Sequence, residues 1–261
     1  MPHVSIKPEF VFFIKNFGIT NSVLTSSIIV LLLLIVGLIF SQQTSQGKKS
    51  TFSFFIRFII EKLYTTFKPI LESKTDALFP VLASLFFFIL LSNWFGLLPG
   101  VGSVTIKAPE RLSIEKPIEE SIEEPKEKEK IHRVPLLRGS TADLNTTLVL
   151  ALIAFGLIQF YGFKELGIKY LGKFINFSNP ISFYTGILEL ISEFSKILSF
   201  AFRLFGNIFA GEVLLAVIAF LIPVLASFPF LVLEVFVGFV QAVVFSMLTA
   251  VFISSAIAKH H

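Results

Sequence analysis

Apolar residues do not alternate with polar ones along most of this chain. They come in runs long enough to cover a whole helix surface. The run "SVLTSSIIVLLLLIVGLIF" at 22–40 predicts a membrane-crossing helix over 21–41, because about 20 apolar residues cross a bilayer. A secretory signal has a shorter apolar core of about 7–15 residues and a small-residue cleavage site. This run is longer and ends in Ser41, Gln42 and Gln43, so a retained helix is expected. "LFPVLASLFFFILLSNWFGLLPG" predicts a second span over 78–99, with Trp94 as an anchor at the membrane interface. "LNTTLVLALIAFGLIQFYGF" predicts a third over 144–163.

The stretches between these runs are polar. Residues 1–20 are mixed and rich in Phe, and a short helix lying at the interface is expected there. Residues 42–77 carry Lys48, Lys49, Arg57, Lys62, Lys68 and Lys74, and 52–71 reads as an amphipathic surface helix. Residues 100–143 hold the Glu/Lys/Pro run "EKPIEESIEEPKEKEK" at 115–130, read as a solvated loop, with a partner-binding arm as the alternative. Residues 164–181 are again basic, with Lys164, Lys169 and Lys173.

The last third of the chain is different. Ser178 or Asn179 can cap a new helix, with Pro180 suited to its first turn. No proline follows from Ser182 to Ile222. A helix of 41 residues is about 60 Å long, far more than an upright span needs, so it is either broken or steeply tilted. A turn at 223–229 and a second long helix at 230–258 complete a helical hairpin at membrane depth. The expected fold is an all-α integral membrane protein, one membrane domain of about five helices including this hairpin.

Composition supports that picture: 54% of residues are hydrophobic and mean hydropathy is +0.82. Only 15% are charged, against about 25% in ordinary soluble domains. The 33 Phe residues read as lipid-facing and inter-helix packing. A net charge of +4 is mild and leaves no nucleic-acid footprint. There is no cysteine, no phosphate-cradling glycine loop, no nucleophile elbow and no zinc-ligand spacing. His132 reads as solvated, and His260 and His261 are too few for a metal site. No cofactor or metal is therefore expected. Orientation is undecided by charge, because each side of the membrane receives ten Lys and Arg.

Charges inside the hairpin are the candidates for function. A guanidinium stays protonated, and at a helix centre in the bilayer it costs about 2.5–3.5 kcal/mol on insertion scales. Arg203 lies about 20 residues from either end of its helix, too far to reach the interface by snorkelling; a silent ion pair is the bland alternative. Glu189, Lys196 and Arg203 recur every seven residues and drift only about 20° per step, so they share one face. Ser192 and Ser199 lie near that stripe. Glu212 is nine residues past Arg203, about 900° round, so it points the opposite way. Within one helix the two cannot pair. Glu234 and Gln241 share a face of the second helix, and Glu234 can approach Glu212 across the hairpin. Two carboxylates in one low-dielectric site can hold and pass on a proton. The bland readings are an interfacial residue for Glu234 and inter-helix hydrogen bonds for Gln241 and Asn207. Asp143 reads as a helix cap or as part of a proton path.

"SFAFRLFGNIFAGE" (199–212) followed by "FVGFVQAVVFSMLTAVFIS" (236–254) closely resembles subunit a of F-type ATP synthases. "LSNWFGLLPGVGS" (91–103) and "STADLNTTLVLAL" (140–152) resemble earlier segments of the family in the same order. The resemblance implies a non-catalytic stator subunit beside a ring of c subunits, with the subunit b stalk and the rest of the complex as partners. It implies transport of H⁺ or Na⁺ in a cell membrane. Arg203 would face the ring carboxylates and separate two half-channels. Asn207, Glu212, Glu234 and Gln241 would line the entry path; Glu189, with Ser192, Lys196 and Ser199, would line the exit. The family's topology places the N-terminus and the charged loop outside and the C-terminus in the cytoplasm. Glu234 stands where some members carry histidine, the loop at 107–138 is expanded, and Glu193 receives no role. The competing classes are a secondary transporter, which predicts inverted repeats that the sequence lacks, and a purely structural membrane scaffold.

Overall fold

The computed structural model of the chain describes residues 8–14, 17–46, 50–98, 100–101, 104–107, 133–174, 179–222 and 227–258. Six long helices dominate: α1 (Asn21–Ser45), α2 (Thr51–Leu71), α3 (Thr75–Gly96), α4 (Leu144–Leu166), α5 (Pro180–Leu221) and α6 (Ser227–Ile257). With α2 and α3 taken as one stretch, five helical segments among the described residues are long and apolar enough to cross a membrane. The protein is an all-α integral membrane protein.

The helix ends follow local chemistry. The Thr20 hydroxyl accepts a hydrogen bond from the Val23 N–H and starts α1. Glu72, at φ 48°, ends α2 ahead of a short 3₁₀ turn. Asp143 caps α4 by accepting from the Asn145 N–H at 3.0 Å. Gly167, at φ 57°, ends α4 in a backbone conformation that favours glycine. A 3₁₀ stretch, Gly167–Lys173, then folds Tyr170 back onto Gly162, where a Cβ would strike the ring. Asn179 is the extended residue before α5 and Pro180 fills the first turn, although the Asn179 side chain makes no cap bond. Ser178, the other candidate cap, lies outside the described residues.

α6 packs against α3 and α4, and α4 also packs against α5. Hydrocarbon tails are as apolar as leucine, so helices in lipid associate through close packing of small residues. Ala151 and Ala154 of α4, Ala201 of α5, and Ala242 and Ala250 of α6 are almost fully buried. Around them close Phe86, Ile89, Ile158, Phe200, Leu204, Phe245 and Ile253. α1 is buried only along its first turns, at Asn21, Ser22, Thr25 and Ile29; the rest of its surface is exposed leucine, isoleucine and valine.

The sequence reading needs correction at several places. Residues 10–20 form no helix: β1 (Phe10–Ile14) and β2 (Phe17–Thr20) pair antiparallel. Aromatic and β-branched residues favour strands, and Gly18 gives the Phe10 ring a place to lie. Residues 1–7, 15 and 16 of that segment lie outside the described residues. Of the two alternatives left open for the long helix, broken or continuous, α5 is the continuous one and runs through all 42 residues. Ser227, Phe228 and Pro229 belong to α6 rather than to the turn, and proline is tolerated in a first turn; residues 223–226 lie outside the described residues.

The charged stretch at 100–143 is not one loop. β3 (Thr105–Lys107) pairs antiparallel with β4 (Arg133–Pro135) in the register Lys107↔Arg133. Residues 108–132, His132 included, lie outside the described residues, as do His260 and His261. After β4 the chain turns into the bundle, and Arg138, Ser140, Thr141, Ala142 and Asp143 are all buried. The Trp94 indole N–H donates to the Val235 carbonyl of α6 at 3.0 Å.

Candidate functional site

The polar side chains of α5 and α6 fall into three groups along α5. The first lies on its N-terminal half. Lys173, brought back by the 3₁₀ stretch after α4, places its ammonium 2.7 Å from Glu189 Oε1 and 3.6 Å from Glu193 Oε1. Lys196 donates to the same Glu193 oxygen at 2.7 Å. The other Glu193 oxygen accepts from Gln159 Nε2 at 3.0 Å, and the Tyr170 hydroxyl donates to Gln159 Oε1 at 3.0 Å. Glu193 is only 3% exposed. It is the hub of this group, which sequence reasoning missed. The signal was available: Glu193 is three residues from Lys196, within reach on one helix. Ser192 is exposed and has no hydrogen bond or ion pair among the described residues.

Arg203 forms the middle group. Its Nη2 donates to Ser199 Oγ, one turn earlier, at 3.1 Å. Among the described residues it has no carboxylate partner, although the membrane helices around it hold Glu189, Glu193, Glu212 and Glu234. The neighbouring surface of α5 is open and apolar, with Phe194, Leu198 and Phe202 exposed. A Cβ at Gly206 would meet open space, and Asn207 is exposed beside it. Among the described residues this cation is held by a serine hydroxyl and no carboxylate, beside an exposed apolar helix face.

The third group joins α5 to α6. Asn207 Nδ2 donates to Gln241 Oε1 at 2.9 Å, while Gln241 Nε2 is buried with no partner among the described residues. The Glu234 carboxylate lies on the Cα of Gly211: a Cβ at that glycine would overlap it. Glu234 is buried and makes no hydrogen bond or ion pair among the described residues. Glu212, the next residue after Gly211, turns instead to Arg138, whose Nη2 lies 3.3 Å from Glu212 Oε2. The two carboxylates therefore occupy neighbouring positions, but Glu212 has a direct partner that the sequence reading had assigned to a solvated loop.

α3 supports this end of the site. Asn93 Nδ2 donates to the Gly238 carbonyl at 2.9 Å and Asn93 Oδ1 accepts from the Thr141 hydroxyl at 2.7 Å. Gly238 lets α3 approach, since a Cβ there would crowd Asn93. One asparagine thus ties α3, α6 and the segment before α4 together around Glu234. Asp143, besides capping α4, lines an apolar cavity of about 920 Å³ between α1, α3 and α4.

Membrane-crossing helices that carry an arginine with no carboxylate partner among the described residues, four glutamates and facing amides define a multi-pass membrane protein with ionisable groups inside its spans. Such groups mark ion pathways. The family model for the ATP synthase A chain matches residues 23–254, and the chain belongs to that family. It is thereby a subunit a of the Fo sector, part of the ATP synthase complex, with a role in ATP synthesis and ion transport.

Proposed function

We propose that the chain carries ions, most simply protons, between the two membrane faces and a ring of c subunits, and that Arg203 divides the route. The observation that carries this reading is Arg203 itself: a permanent cation within a membrane helix, bonded to Ser199 and paired with no carboxylate among the described residues. A passing ring carboxylate is the partner that its chemistry asks for. The arginine draws that carboxylate into its ion-free form, and its fixed charge bars direct leakage of cations from one half-path to the other.

The remaining groups then serve as two half-paths. Glu212, Glu234, Asn207 and Gln241 serve entry, and the buried unpaired Gln241 Nε2 is suited to an ordered water on that path. Glu189 and Ser199, with the Lys173–Glu193–Lys196 network behind them, serve exit. The open apolar face of α5 receives the ring, and the subunit b stalk is the other expected partner. The chain is non-catalytic on its own. The reading places it in a bacterial cell membrane with its C-terminus in the cytoplasm.

Arg203→Ala is expected to abolish ATP-driven ion pumping by membrane vesicles while the complex still assembles. Coupled pumping that survives the change would leave only a structural scaffold. A secondary transporter would move a solute without the ATP synthase complex, which reconstitution of the isolated chain reads directly.

A further inference from the structure

Arg138 is the charged residue whose setting departs furthest from what its sequence neighbourhood suggests. It ends a charged stretch, yet it is 7% exposed. Its backbone N–H donates to the Thr25 hydroxyl of α1 at 3.4 Å, and that hydroxyl donates to the Asn21 carbonyl at 3.0 Å. Gly139, the next residue, packs on Gly96 at the end of α3. Two residues further on, Thr141 bonds Asn93. α1 and α3 thus fix the backbone at Arg138 before its side chain is considered. Its guanidinium reaches Glu212, whose side chain is 38% exposed against 8% for the arginine. The pair is one-sided: a fixed, buried cation holds a carboxylate that keeps an open flank.

Resting on the reading of Glu212 as an entry-side group, we propose that Arg138 is a positioning residue for ion entry. It holds the Glu212 carboxylate toward the 138–143 segment, where an arriving ion meets it. When the ion neutralises the carboxylate, the charge-assisted bond to Arg138 weakens. The neutral side chain is then free to turn toward Glu234 beside Gly211. Passing the ion on restores the anion and the pair. Among the described residues, the other titratable groups on the segments that meet here are Asp143, held by the Asn145 N–H, Glu234 on α6, and Glu9, whose backbone N–H donates to the Asn21 side chain of α1.

The test uses the assembled complex in inverted membrane vesicles, with ATP-driven pumping measured across pH and normalised to assembled complex. Arg138→Gln is expected to slow pumping by about tenfold or more and to displace the pH profile by about one unit or more. Arg138→Lys, which keeps the charge, is expected to recover most of the rate. In a Glu212→Gln background, Arg138→Gln is expected to add no further loss. A wild-type profile for Arg138→Gln, or losses that multiply in the double variant, overturns the proposal. If Arg138→Gln fails to assemble, Arg138→Lys decides. Most of the wild-type rate in Arg138→Lys, with any profile shift vanishing in the Glu212→Gln background, supports the pairing; a lost rate in an assembled Arg138→Lys complex, or the same shift in both backgrounds, overturns it. Arg203→Ala run alongside separates the two claims, because pumping that survives it defeats the broader reading and not the Arg138–Glu212 pairing alone.

Discussion

The carboxylate of Glu234 rests on the Cα of Gly211, so one residue's missing side chain is the other's seat. Glycine is required there by space and not by backbone conformation, since Gly211 lies within the regular helix α5. The seat is also what brings Glu234 next to Glu212 without a bond between them.

Gly211→Ala is therefore expected to act through Glu234. The added methyl forces the carboxylate off its seat at an overpacking cost of about 1–3 kcal/mol. Pumping should fall to the level of Glu234→Gln. The shorter side chain of Glu234→Ala, added to Gly211→Ala, should restore the thermal stability of the complex but not its pumping. A Gly211→Ala complex that pumps and melts like wild type would show that the contact carries nothing.

The Asn207–Gln241 bond offers a cleaner energetic measurement. Paired polar groups between membrane helices contribute about 0.6 kcal/mol on average and up to about 1.7. A double-mutant cycle with Asn207→Leu and Gln241→Leu, read as unfolding free energy in detergent, should give a coupling in that range. Strictly additive losses would dissolve the pair into two independent contacts.

Glu193 and Glu189 should separate by experiment even though both bind Lys173. Glu193 is 3% exposed and answers to Lys196, Lys173 and Gln159. Removing its charge leaves the Lys196 ammonium without a carboxylate among the described residues, a loss of about 3–5 kcal/mol for a broken buried pair. The Glu189 side chain is 34% exposed, and an exposed pair is worth about 0–1 kcal/mol. Glu193→Gln should thus cost assembled complex in the membrane, whereas Glu189→Gln should leave assembly intact and act on pumping. Equal loss of assembly in both would place the two residues on the same footing.

The membrane helices were legible because the bilayer imposes a length and a composition that no competing structure satisfies. Arg203 stood out for the same reason, as a charge where charge is expensive. Helical phase also separated Arg203 from Glu212, and the structure gives them different partners, Ser199 and Arg138. Arg138 and Lys173 were not legible in role. Each approaches the hairpin from a segment outside it, and spacing along a helix says nothing about what a distant loop delivers. Glu193 escaped for another reason: its burial comes from α4 and the 3₁₀ stretch after it, through Gln159 and Tyr170. The Phe-rich start was misread because a two-strand ribbon depends on pairing, whereas a helix is encoded within one run of residues.

The register of β3 with β4 has a consequence for how this subunit can vary. Lys107 and Arg133, the described residues on either side of 108–132, are paired across the ribbon. Whatever intervenes departs from and returns to a single point. Lengthening a closed loop costs little, about 0.6 kcal/mol per doubling. Changes of length between those positions therefore leave the Lys107–Arg133 pairing closed at small entropic cost. The ribbon is a clasp, and its closure depends little on how much sequence it encloses.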